Sequence, residues 1–222
     1  MMTNLFSAFD PATTKTLSLN WLSIILVMLL IPMNYWILPN KISFIKSSLM
    51  KKLTYEFKLL LGPTSKGFTL LFISLLLYIM INNLMGLLPY IFTGSSHMTF
   101  TLTLALPMWL SLMLYGWINQ MNHMFAHLVP SGTPSVLMPF MVIIETLSNL
   151  IRPGALAVRL MANMIAGHLL MSLLGNNTTN MNMSLILIFM IQMGLMMFEM
   201  AVALIQAYVF SILMTLYTSE LM

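Results

Sequence analysis

The sequence predicts an all-α integral membrane protein, folded as a single membrane domain over residues 1–222. Three observations carry that expectation. The 222 residues are 59% hydrophobic and only 6% charged, with a mean hydropathy of +0.93, which lies outside the balance of a soluble domain. Residues 67–144 contain no Asp, Glu, Lys or Arg, and neither do 160–198. Within these runs the apolar stretches are long enough to cross a hydrocarbon layer of ~30 Å as helices. Cysteine is absent, so neither a disulfide framework nor a thiolate metal site is possible. The formal charge of +4 is no nucleic-acid footprint, because the lysines stand among apolar residues. MMTNLFSAFDP has no charged n-region and no Arg-rich amphipathic face, so no targeting segment is expected, as for a bacterial or organelle-made protein.

Residues 17–38 form the first expected spanning helix, with Trp21 at one end, Tyr35 and Trp36 at the other, and Pro39 closing it. Residues 41–62 are too charged to cross. Ile42, Ile45, Leu49, Leu53, Phe57 and Leu60 recur there at helical spacing, while Lys41, Lys46, Lys51, Lys52 and Lys58 lie mostly off that stripe. This is the pattern of a helix lying in the membrane interface. With Lys66 added, the positive-inside rule turns this side toward the cytoplasm or matrix and the N-terminus toward the opposite compartment.

Residues 67–119 read as two spans, 67–88 and 100–119, joined by the uncharged loop 90–99. Asn82, Asn83 and Gly86 suit close helix packing. His123 and His127 stand four apart, as two helical metal ligands would, but no third ligand lies nearby. They are read as interfacial, like His97 in the outer loop, and no metal or other cofactor is expected. Pro130, Gly132, Pro134 and Pro139 mark a loop into a new helix. Residues 135–218 then hold two very long apolar stretches around the polar turn GNNTTN. The first, about 41 residues or ~60 Å of helix, is twice the hydrocarbon thickness. Either each helix breaks, the first at Arg152-Pro153-Gly154, or the pair is strongly inclined; the short turn favours an inclined hairpin.

The charges on this hairpin define the candidate site. An Arg at a helix centre in hydrocarbon costs roughly 2.5 kcal/mol or more, so buried charge there implies function. Glu145, Arg152 and Arg159 are spaced by sevens, which returns each to nearly one helix face, and Asn163 joins them four residues on. His168, nine beyond Arg159, points to the far side at ~100° per residue. The second helix repeats the spacing with Gln192, Glu199 and Gln206.

Around these residues the chain resembles a known family. NNLMGLLPY (82–90), MFAHLVPSGTP (124–134) and above all ETLSNLIRPGALAVRLMANMIAGHLL (145–170) are similar to the a-subunits of rotary (F-type) ATP synthases, most closely the animal mitochondrial form. The likeness spans essentially the whole chain, which departs mainly in having Met at many apolar positions. It implies a spanning helix, an interfacial helix on the matrix surface, an upright hairpin (67–119) and a long inclined hairpin (135–218) against a rotating c-ring. It further implies that Arg159 faces the ring carboxylates with Gln206 close by, and that Asn163, His168, Glu199 and Glu145 line the proton routes. Arg152, before Pro153, is read as a positioning charge. The implied partners are the c-ring, other membrane-sector and peripheral-stalk subunits and the lipid bilayer, in the mitochondrial inner membrane.

Elementary chemistry fits that reading. Arg stays protonated, so it cannot relay a proton, but it favours the ionised form of a nearby carboxylate. Glu145 lies ~21 Å before Arg159 and His168 ~14 Å beyond it along a straight helix. A fixed cation between titratable groups thus divides two half-paths. A hairpin symmetric about residue 177.5 would offset His168 from Glu199 by ~18 Å, whereas the resemblance implies one shared path and hence a staggered hairpin or a longer turn. No phosphate-cradling Gly-rich Lys loop is present, so ATP chemistry is expected on other subunits. The alternative, a proton-coupled secondary transporter, should show two related halves with interrupted helices, and no internal repeat is found. A haem carrier would need histidines deep in several spans; only His168 qualifies.

Overall fold

A computed structural model describes residues 4–29, 31, 38–62, 67–129, 133–177 and 185–221, leaving aside the side chains of 127, 177 and 221. Among the described residues seven α-helices follow in order: α1 (Leu22–Leu29), α2 (Lys41–Leu61), α3 (Phe68–Gly86), α4 (Met98–Asn119), α5 (Met121–His127), α6 (Met138–Asn177) and α7 (Leu185–Leu221). Short 3-10 turns cover Leu5–Phe9, Leu19–Trp21 and Gly94–Ser96. Among the described residues there is no strand, so the all-α expectation holds. By length and composition α3, α4, α6 and α7 are each long and apolar enough to cross a membrane. Of the first expected span, the described helical part is Leu19–Leu29. Tyr35, Trp36, Lys66, Pro130, Gly132 and the end of the GNNTTN turn lie outside the described residues.

Local chemistry accounts for the element ends. Ser43 Oγ donates to the Asn40 carbonyl (2.7 Å) at the start of α2. At its end the Gly62 N–H donates to the Lys58 carbonyl, and Gly62 takes a positive φ of 73°, a turn glycine adopts without a Cβ clash. Inside the spanning helices, Ser and Thr hydroxyls donate to carbonyls three residues back, as in Ser74 to Leu71, Ser172 to Leu169 and Thr215 to Ile212. Such bonds satisfy hydroxyls where no water is at hand. Pro153 and Pro107 sit within continuous α6 and α4. The long helices are therefore unbroken, and 40 residues of α6 extend ~60 Å.

Packing is organised by the α6–α7 pair. α3 packs chiefly on α7 and α4 chiefly on α6, while between α3 and α4 the Tyr78 and Phe100 rings meet at 5.9 Å. The core joins Phe57 and Leu61 of α2, Phe72, Leu76 and Ile79 of α3, Leu112 of α4, Leu156 and Leu160 of α6, and Phe210 and Met214 of α7. Ala105, Ala157 and Ala207 are buried within it, and small residues let helices approach closely without hydrocarbon being driven from water. A second cluster, Leu87, Met164 and Ala203, ties the end of α3 to the hairpin. α2 lies against α7 and α3, with Tyr208 Oη donating to Glu56 Oε2 at 3.4 Å.

Candidate functional site

The expected residues fall into three groups along α6. Near its N-terminus Arg152 makes an ion pair with Glu145 (3.4 Å) and another with Glu220 (3.0 Å), and its guanidinium lies 5.0 Å from the centre of the Tyr217 ring. The heptad spacing brings the first pair onto one face; the Glu220 contact depends on where α7 ends. A cavity of about 270 Å³ opens here, lined by Trp109, Trp117, Glu145, Asn149, Arg152 and Glu220 among others. It can hold water between charged and apolar walls.

In the middle stands Arg159. It is exposed, as are Ala155, Ala162 and Ala166 on the same face, and among the described residues it makes no ion pair. Arg159 and half-buried Gln206 line one cleft between α6 and α7 with Leu156, Leu160, Val209 and Phe210, too narrow for a water molecule. Asn163 is half-buried one turn beyond. A guanidinium on an apolar helix face calls for a polar partner, and none of the described residues forms an ion pair with it.

The third group surrounds His168 on the far face of α6. The Nε2 of its imidazole is buried without a partner. Glu199 is buried (9% exposed), and its Oε1 likewise lacks a partner. A Cβ placed on Gly167 would stand 2.8 Å from Glu199 Cδ, so the carboxyl occupies space that the glycine leaves beside His168. Gly175, Asn176 and Asn177, read as part of the polar turn, are helical and belong to α6. With the Glu199 carboxyl against Gly167, the two helices do not keep the ~18 Å offset of a hairpin symmetric about residue 177.5.

Sequence reasoning missed several neighbours. Asn83, read as helix packing, is 1% exposed with both amide atoms unpartnered. The loop 90–99 is packed against the helices: Ser95 is 2% exposed, its Oγ unpartnered, and Gly94 lies against Ile24. The Gly-Ser-Ser run was the available signal, since only small residues fit so close an approach. Glu220 and Phe9, whose ring meets His168 at 6.2 Å, left no signal in spacing at all.

Long apolar helices with a fixed cation flanked by titratable groups define a membrane-embedded protein of charge or proton transfer. Comparison with known proteins specifies which. Residues 16–219 match the protein-family model for the ATP synthase A chain. The chain is 62% identical over 225 residues to ATP synthase subunit a of Anopheles quadrimaculatus, and 62% over 226 residues to that of Aedes aegypti. It is 59% identical over 222 residues to the Drosophila melanogaster protein; each match covers 99% of both chains. The chain belongs to the ATP synthase subunit a family, proton-translocating subunits of the enzyme's membrane sector, in its animal mitochondrial form.

Proposed function

We propose that this chain is the stator half of a rotary proton path, working against a c-ring whose carboxylates pass Arg159. The observation that carries the reading is the exposed guanidinium of Arg159 midway along α6, without an ion pair among the described residues. A partner carboxylate arriving there is held ionised, so it must have released its proton before reaching Arg159 and must take up another after passing it. Protons enter past Glu199 and His168, ride the ring, and leave past Glu145 and the water-accessible cavity beside Arg152. Asn163 and Gln206 flank the cation. Each charge crossing yields ~2.3 kcal/mol per 100 mV of membrane potential as torque.

The chain itself is non-catalytic; the nucleotide chemistry belongs to other subunits, with which it assembles alongside the peripheral stalk. Residues 1–222 form one membrane domain, with the interfacial α2 on the matrix side and the N-terminus in the intermembrane space.

Arg159→Ala tests the reading in the assembled enzyme. ATP-driven proton pumping is expected to be lost while the complex remains detectable on native gels, with passive leak increased. Pumping near the wild-type rate would overturn it.

A further inference from the structure

The N-terminal segment has no role in the path described above, yet it reaches the middle of it. The 3-10 turn Leu5–Phe9 packs on α6, and the Phe9 ring meets the His168 imidazole at 6.2 Å between centroids, nearly perpendicular at 86°. The turn is tied at both ends. Ser7 Oγ donates to the Asn4 carbonyl (2.6 Å), and the Asn20 side-chain amide donates to the Asp10 carbonyl (3.1 Å), fastening the segment to the start of the first apolar helix. The Asp10 carboxylate accepts the Ala12 N–H (3.0 Å), turning the chain just after Phe9. Phe9 is thus a half-buried side chain on a braced turn.

We propose that Phe9 is a positioning residue for proton transfer through His168. This rests on the reading that His168 carries protons. The last torsion of a histidine side chain is soft, with broad wells, so packing must hold the ring if it is to transfer protons in one geometry. The Phe9 ring stands perpendicular to the imidazole at 6.2 Å between centroids and limits that turning. A neutral imidazole offers one nitrogen as donor and the other as acceptor, so the orientation of the ring decides which of them meets the path. Nε2 is buried without a protein partner, as is Oε1 of Glu199, whose carboxyl lies against the neighbouring Gly167. Phe9 makes no proton transfer itself; it keeps the exchanging nitrogen directed at the path.

The test is proton-driven ATP synthesis by the assembled enzyme carrying Phe9→Ala, Phe9→Leu or Phe9→Tyr, each alone and with His168→Ala. Phe9→Ala is expected to lower the rate about tenfold, within what misplacement of a transfer group can cause, with complex abundance unchanged. Phe9→Tyr, which keeps the perpendicular ring, should stay within about twofold of wild type, and Phe9→Leu should fall between. With His168→Ala already present, Phe9→Ala should add no further loss, as for two residues acting through one event. An equal fold-loss in both backgrounds would overturn the proposal, as would a wild-type rate in Phe9→Ala. Failure of all three variants to assemble would also overturn it, by making Phe9 a folding residue. Arg159→Ala, run in parallel, tests the underlying rotary reading separately: pumping retained there refutes that reading whatever Phe9 does.

Discussion

Arg152 and Arg159 lie two turns apart on one helix, and their surroundings give them different work. Arg152 is held by Glu145, Glu220 and the Tyr217 ring; its side chain is 28% exposed, so the pairs are partly screened. Loss of a pair of that kind is worth about 0.2–1 kcal/mol. Arg152→Gln is therefore expected to reduce activity or assembly by only about two- to fivefold, a range that corresponds to such an energy. Arg159→Gln, which removes the permanent charge, should stop coupled transport, and Arg159→Lys should be severely impaired because an ammonium does not reproduce the planar fork. The measurements are proton pumping and the amount of assembled complex. Equal, complete loss of transport in both Gln variants, with normal assembly, would show that the two cations share one role.

At the level of elements, the stagger of α6 against α7 decides what meets what. Gly167 is where the two helices give way to the Glu199 carboxyl, and a methyl group there would crowd Cδ at 2.8 Å and Oε1 at 3.0 Å. The crowded atoms are the end of a flexible side chain, so the carboxyl can swing aside while the helices stay in place. Alanine is also the better helix former, by roughly 0.5–1 kcal/mol. Gly167→Ala is therefore expected to leave the amount of complex unchanged while lowering proton-driven synthesis about tenfold, the scale expected when a transfer group is displaced by about an ångström. Reduced assembly with normal turnover per complex would reverse that reading and make Gly167 a packing residue.

For the whole molecule, the distribution of lysines makes the proposed orientation testable. Lys41, Lys51, Lys52 and Lys58 are exposed on α2, and the N-terminal turn packs on α6, where Phe9 meets His168. The chain has no cysteine, so introduced ones label against a clean background. A membrane-impermeant maleimide should label Lys51→Cys only from the matrix side and Ala12→Cys only from the intermembrane side. The reverse pattern would invert the proposed proton route.

Composition and period were enough for the class, the spans and the charged residues, because both depend on chain-local physics: hydrocarbon thickness sets helix length, and 3.6 residues per turn sets each face. The Glu145–Arg152 pair follows from that alone, seven residues apart on one helix. The separation of His168 from the Arg159 face follows in the same way. Tertiary structure decided what spacing within one helix cannot express. The relative stagger of α6 and α7 put Glu199 against Gly167, the end of α7 put Glu220 on Arg152, and two loops packed against the helices to bury Ser95 and to set Phe9 on His168. The reason is physical: helical period fixes directions around an axis, whereas the axial offset between helices and the course of the loops are settled only when side chains from distant segments pack together.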